Sequence, residues 1–467
     1  MIVMKFGGTS VEDAASIERV AEIIKARLPL RPAVVVSAMG KTTRKLLQAA
    51  EASAAGDRPT TLAVVAELKT RHLSEARTLV KSTAERAVFS IIDRHFDELE
   101  KLLEGLAILG EVPPRGLDKI LAYGELLSSA IVADALAERG MAARLLDARE
   151  FVITDDRFGG AAPLFDITNA KIRAAITPAI EAGAVPVIQG FIGATREGAT
   201  TTLGFEGSDY TAAIVGVALE ADDIQIWKDV SGLMTTDPRI FSGARTVKAC
   251  TFAEAADLTY FGAKVLHPKA IYPAARRNIP VHIYNSKKPG ATGTSISASA
   301  PRCANLIKSI AYKRPVTVIH VKGESLSDGV RAIAPEDFLK TLLNALNKHG
   351  ARPLLVAVSA ASVALAVDGT EVSEARERDL LEEIVKFATV SRDRHCAIVS
   401  LVGEELRNDT SLASRVFKAI DETEIGVILH GSSPISMNLV VAEHEVESVI
   451  ARLHAVFFDK LDPQVFE

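Results

Sequence analysis

Four short runs in this 467-residue chain carry residue types suited to holding a phosphate. Lys5-Phe6-Gly7-Gly8-Thr9-Ser10 follows an apolar segment and precedes a helical one. Two glycines let the backbone approach an anion closely, a helix N-terminus offers free N–H groups, and the lysine adds a cation. The run is neither the GxxxxGK[ST] loop nor GxGxxG. Gly207-Ser208-Asp209 opens a helix after a threonine-rich hairpin. Lys228-Asp229-Val230 follows a strand, and Thr235-Thr236-Asp237-Pro238-Arg239 comes shortly after. Gly262-Ala263-Lys264 precedes the apolar pair Val265-Leu266. Singly, these read as an N-cap, a turn and a C-cap glycine. Together, each at an element end of one α/β region, they favour a phosphate site. The ten histidines and three cysteines show no metal-ligand spacing, and His267, after an apolar pair, reads as structural.

The elements that must position these runs follow from periodicity. Residues 1–8 predict a strand ending in a Gly-Gly turn, and Val34–Val36 a second strand ending at Ser37. Residues 44–110 read as helices. So do residues 117–139, where Leu117, Ile120, Leu121, Leu127, Ile131, Ala135 and Leu136 recur at helical spacing. A helix over Ile167–Ala182 leads to a strand over Ala184–Ile192, and Gly193–Gly204 reads as a hairpin tip. A helix from Ser208 to Glu220, a strand over Ile224–Trp227 and a helix over Thr251–Phe261 complete the pattern. Strands alternating with helices predict βαβ units and a mainly parallel sheet, with ligands at the carboxyl ends of its strands.

The small, polar stretch Gly290–Pro301 predicts a domain boundary. Beyond it a repeat appears at an offset of 74 residues. Phe338, Leu342, Leu343, Leu346, Ser359, Ser362, Leu365 and Val367 map onto Leu412, Val416, Phe417, Ile420, Ser433, Ser436, Leu439 and Val441. Each copy reads strand, helix, strand, strand, starting at Val316–Val321 and Ala397–Val402, which predicts duplicated α+β modules.

Composition bounds the rest. A length of 467 residues suggests roughly three domains. A net charge of −5, from 54 basic and 59 acidic residues, gives no electrostatic case for nucleic acid or an anionic membrane. The longest uncharged apolar stretch, Pro353–Val367, is too short to span a bilayer, and the N-terminus lacks a secretory pattern. Three scattered cysteines, Cys250, Cys303 and Cys396, argue for a reducing compartment, so a cytoplasmic location is expected.

KFGGTSV at 5–11, GELLSS at 124–129, TTTLGFEGSDYTAA at 200–213, KDVSGLMTTDPR at 228–239 and FGAKVLHPKAI at 261–271 together resemble the aspartate kinases of the amino acid kinase superfamily. Residues 301–467 resemble the paired ACT domains of that family. The resemblance implies an α/β amino acid kinase fold over 1–300: an amino-acid lobe (1–183) and a nucleotide lobe (184–300), with a mainly parallel sheet sandwiched by helices. Two ferredoxin-like ACT modules would follow, at 301–390 and 391–467. The implied reaction is ATP-dependent phosphorylation of the L-aspartate side chain. The implied cofactors are ATP and Mg²⁺, the metal held mainly through the ATP phosphates with no protein metal site. A homodimer or homotetramer regulated by an amino acid, lysine or threonine or both, is also implied.

By motif position, Lys5 would bridge the phosphates and the transferring group, with Asp209 orienting it. Gly7, Gly8, Thr9 and Ser10 would line its loop. Ser37, Thr43, Glu125 and Ser208 would contact the amino acid, and Lys228, Asp229, Met234, Asp237, Arg239 and Lys264 would form the nucleotide side.

The chain departs from the family pattern in two places. Phe205 stands where these kinases place an arginine that grips a substrate carboxylate, and Glu206 follows it. Arg196, in the same hairpin, is the candidate substitute. The segment KGESLSDGVRAIAPEDFL differs from the lysine-site stretch of lysine-inhibited relatives. A kinase for another acidic amino acid, or a non-catalytic amino-acid-binding regulator, therefore stays open as an alternative.

Overall fold

A computed structural model describes all residues except 81–86, 205, 264, 265, 267, 324–334, 360, 361 and 371–373. The strands of the first part of the chain are β1 (Ile2–Phe6), β2 (Pro32–Val36), β3 (Ala143–Leu146), β4 (Val185–Gln189), β5 (Ile192–Ala194), β6 (Thr200–Thr202), β7 (Asp223–Lys228), β8 (Ala249–Thr251), β9 (Val281–Asn285) and β10 (Thr294–Ser297). The remainder holds β11 (Ile307–Gly323), β12 (Pro353–Val358), β13 (Ser362–Asp368), β14 (Ala388–Gly403), β15 (Ile425–His430) and β16 (Ser436–Ala442). The chain forms two compact units. One comprises residues 1–233, 248–252 and 265–300, the other residues 234–247, 253–264 and 301–467.

The first unit is built on an eight-stranded sheet in the order β3-β4-β2-β1-β7-β9-β10-β8. The neighbours from β3 to β9 all run parallel. The central strands are apolar along their whole length because both faces are covered. All five residues of β1, of β2 and of β4 are buried, as expected of parallel strands between helical layers. The apolar pattern over 117–139 divides at Ala122 into two helices, Pro114–Leu121 and Tyr123–Glu138. By length and composition this stretch could cross a membrane, yet 83% of its apolar window is buried inside the fold, as befits a core helix. The small, polar stretch 290–301 is not a bare linker. Its Thr294–Ser297 segment is β10, antiparallel to β9 and parallel to β8, so the sheet continues into the stretch read as a boundary.

In the second unit a six-stranded antiparallel sheet has the order β12-β13-β11-β14-β16-β15. The long strands β11 and β14 pair at its centre, from Ile307 opposite Gly403 to Gly323 opposite Ala388. The order is symmetric about that pair, which is the repeat seen in three dimensions. Each module also has a second helix, Glu374–Ile384 or Val446–Phe457, that the repeat pattern did not reveal. Phe338, Leu342, Leu346, Leu365 and Val367 of the first copy lie in one apolar core with Leu380 and Ile384 of that helix.

Two earlier segments belong to this unit. Ser309 Oγ donates to the Met234 carbonyl at 2.7 Å, and the Ile310 N–H donates to the Thr235 carbonyl at 2.8 Å. Gly262 has φ +108, and a Cβ there would lie 2.1 Å from the Tyr312 carbonyl oxygen. Both facts require glycine, so its role extends beyond capping a helix.

Candidate functional site

In a parallel sheet the strand ends that point one way leave a crevice. Here the carboxyl ends of β1, β2 and β7 run into Gly7, Ser37 and Asp229, and the helix Gly207–Ala218 brings its N-terminus alongside. The resulting cavity of ≈ 340 Å³ is lined by Lys5, Gly7, Gly8, Thr9, Ser37, Gly40, Lys41, Glu206, Ser208, Asp209, Lys228 and Asp229. Close backbone approach shapes it. The Gly7 N–H donates to the Trp227 carbonyl at 3.0 Å, and a Cβ on Gly8 would lie 2.8 Å from the Ala38 carbonyl oxygen. Ser10 is buried beneath the loop, with its Oγ 3.3 Å from the Trp227 carbonyl and 2.8 Å from Ser286 Oγ.

The charged centre is a three-residue cluster. Asp209 sits between two ammonium groups, Lys5 Nζ at 2.6 Å from Oδ1 and Lys228 Nζ at 2.8 Å from Oδ2. Its side chain is 1% exposed. Burial alone would raise the Asp209 carboxyl, but Lys228 and Lys5 together hold it down at about 2. Burial pushes the Lys5 ammonium down against the opposing pull of Asp209. For Lys228 burial acts in the same downward sense, but Asp209 and Glu206 outweigh it and leave the group raised.

Glu125, on the helix Tyr123–Glu138, is buried. Its Oε1 accepts from the Ala38 N–H at 3.0 Å, while Oε2 is buried with no hydrogen-bond partner. Burial pushes its carboxyl up to about 8. An unpartnered buried carboxylate oxygen is costly unless a ligand supplies the missing donor, and an ammonium group is such a donor. The neighbouring Ser128 donates to the Ser37 carbonyl at 2.8 Å and so fixes the end of β2. Thr43 stands half-buried on the first turn of the helix Thr42–Ala54, beside the buried Thr42. Ser208 packs against Gly190, where a Cβ would lie 2.6 Å from Ser208 Cβ.

The remaining expected residues are distributed as follows. Met234, Asp237 and Arg239 belong to the second unit. There Arg239 chelates Asp237, with Nη2 2.6 Å from Oδ2, and Tyr312 Oη donates to the same oxygen at 3.2 Å. Burial opposes the resulting downward shift of Asp237 but does not reverse it. Phe205 and Lys264 lie outside the described residues. Arg196 is exposed on the tip of the β5–β6 hairpin.

Several residues of the site were not singled out from the sequence. Gly40 and Lys41 complete the cavity wall. Asp118 anchors the hairpin: its carboxylate accepts from the Gly159 N–H at 3.0 Å, the Thr202 N–H at 2.9 Å and Thr202 Oγ1 at 2.8 Å. No local pattern marks Asp118, because its partners are remote in sequence. Glu206, which follows Phe205, also lines the cavity.

A lysine-rich, glycine-lined crevice at the carboxyl ends of a parallel sheet is suited to holding a polyphosphate. A family model described as "Amino acid kinase family" matches residues 1–285, and an ACT domain model matches residues 399–457. Among characterised proteins, Aspartokinase 3, chloroplastic, of Arabidopsis thaliana is 36% identical over 98% of this chain and 81% of its own length. Lysine-sensitive aspartokinase 3 of Escherichia coli is 33% identical over 98% of this chain and 99% of its own. The crystal structure of E. coli aspartokinase III with aspartate and ADP superposes with a TM-score of 0.87 at 31% identity, over 98% of this chain and 100% of that one. The chain belongs to the aspartokinase family.

Proposed function

We propose that this chain transfers the γ-phosphoryl group of ATP to the side-chain carboxylate of L-aspartate. The new bond joins a carboxylate oxygen to the γ-phosphorus, the β–γ bridging P–O bond breaks, and ADP leaves, giving 4-phospho-L-aspartate. That product is the entry point to lysine, threonine and methionine. The observation that carries the reading is the Lys5–Asp209–Lys228 cluster at the mouth of a glycine-lined crevice. The solved complex of the E. coli relative with aspartate and ADP supports the substrate pair.

The chemistry requires what this cluster supplies. An aspartate side chain, with a pKa of about 3.9, is already the nucleophile and needs no general base. The barrier is the approach of that anion to a triphosphate, since two unit charges at 4 Å repel by about 4 kcal/mol at an effective dielectric near 20. Lys5 and Lys228 offset that repulsion at fixed positions, so catalysis is positioning plus charge neutralisation. Asp209 stays ionised, anchors both lysines and orients Lys5. Glu125 receives the substrate ammonium at its unpartnered oxygen, with Ser37, Thr43 and Ser208 beside it. Gly7, Gly8, Thr9 and Ser10 shape the phosphate loop. Met234, Asp237, Arg239 and Lys264 serve the nucleotide, with the amino acid held by residues 1–183 and ATP by residues 184–300.

Mg²⁺ is usually bound through one or two carboxylates together with substrate phosphates. Among the described residues no group of three histidine, cysteine or carboxylate side chains is placed to hold a metal. Asp209 is engaged by its two lysines, which leaves Glu206 and Asp229 as the carboxylates on the cleft wall that would hold the ion. These residues fit a metal that arrives with ATP, which when bound neutralises phosphate charge.

The duplicated modules of the second unit serve regulation, with lysine as the first effector to test, because a structure of the E. coli relative contains lysine and aspartate. A second reading, a different acidic amino acid as acceptor, is favoured by Phe205 in place of an arginine. A coupled ADP-release assay over a panel of acidic amino acids separates the two. Turnover with aspartate supports the first reading, and turnover confined to another amino acid supports the second.

A further inference from the structure

Glu206 lines the cleft but makes no bond in the transfer step itself. It caps the helix Gly207–Ala218 in a left-handed conformation, φ 53 and ψ 27, which glycine adopts more readily. Its side chain is 23% exposed, and its Oε2 lies 3.9 Å from Lys228 Nζ. A helix N-terminus beside a lysine is where a phosphate would settle. A carboxylate of the chain itself therefore stands against the phosphate position.

The charges explain what this does. Two cations, Lys5 and Lys228, face two carboxylates, Asp209 and Glu206, so the cluster is neutral before any ligand enters. A polyphosphate without metal gains less from the two lysines, because Glu206 repels it. A polyphosphate carrying a divalent cation meets a carboxylate able to bind that cation. We propose that Glu206 is a specificity-determining residue that makes the cleft prefer metal-complexed over metal-free nucleotide. The inference rests on the ATP reading above.

Calorimetric titration with ADP, in Mg²⁺ or in EDTA, tests this on the full chain. Glu206→Gln keeps the size and removes the charge. Glu206→Gly relaxes the backbone and serves if the first variant folds poorly, with circular dichroism as the control. The ratio of the metal-free to the Mg²⁺ dissociation constant should fall by about tenfold in either variant, mainly through tighter metal-free binding. An unchanged ratio, or weaker metal-free binding in the variants, overturns the role given to Glu206. Failure of wild-type protein to bind ADP with Mg²⁺ would instead contradict the ATP reading.

Discussion

Two buried lysine–carboxylate groups, one in each unit, are put to different uses. In the second unit Lys308 and Glu254 meet at 3.0 Å with side chains 0% and 1% exposed. In the first, Lys5 and Lys228 share Asp209 at the wall of an open cavity. The Lys308–Glu254 contact is closed to solvent. The other lets two lysines share one central carboxylate, with Glu206 3.9 Å from Lys228, at the wall of a cleft. A closed pair commits its charge to the fold, because removing one member takes a buried charge away from the other. The open cluster holds charge in position for something that arrives later.

Substitutions should separate the two uses. Lys5→Ala should lower kcat for ADP release with aspartate by about 10³-fold while thermal stability changes little, since Asp209 keeps Lys228. A large loss of stability with kcat preserved would reverse the assignment. Lys308→Ala should cost about 3–5 kcal/mol in urea denaturation and leave MgADP affinity unchanged; a cost under about 1 kcal/mol would show that Glu254 is well compensated without Lys308.

Glu125 gives the pH counterpart. Its buried carboxyl titrates near 8 in the native state, whereas the unfolded chain releases that proton near 4.3. The folded state binds more protons over that interval, so this group lowers stability as pH rises from about 4.3 to about 8. Glu125→Gln should flatten that slope in thermal melts across the range. A slope identical to wild type would place the titration elsewhere.

Much of this contrast was legible in the sequence, for a physical reason. Strand-end motifs such as Lys5-Phe6-Gly7-Gly8 and Lys228-Asp229 carry their chemistry and their secondary structure in one contiguous run. The apolar repeat from Phe338 to Val441 announced two modules because the first helix and the strands of each copy carry the same apolar spacing. What escaped depended on distant partners. The polar segment Thr294–Ser297 joins the sheet because β8 and β9 satisfy its backbone, not because of its side chains. The recruitment of Met234 and Thr235 to β11 rests on hydrogen bonds to Ser309 and Ile310, about 75 residues on. The direction of the Glu206 side chain depends on a left-handed backbone that a glutamate does not advertise.

Smaller effects refine the picture of the open cluster. Phe205→Arg should lower KM for aspartate by about tenfold or more, because an arginine can pair bidentately with a substrate carboxylate. Equal and low KM values in both proteins would mean that Phe205 is irrelevant to substrate affinity. Saturating lysine should raise the melting temperature by about 2 °C through binding to the second unit; no shift in melting or rate with lysine, threonine or both would argue against a sensor role.

The most direct test of the central claim traps the product. Wild-type protein incubated with Mg²⁺, ATP and L-aspartate in hydroxylamine should release ADP and form the aspartyl hydroxamate in equal amounts. Lys5→Ala should form both about 10³-fold more slowly. Hydroxamate from another acidic amino acid but not from aspartate, or undiminished formation by Lys5→Ala, would contradict the account.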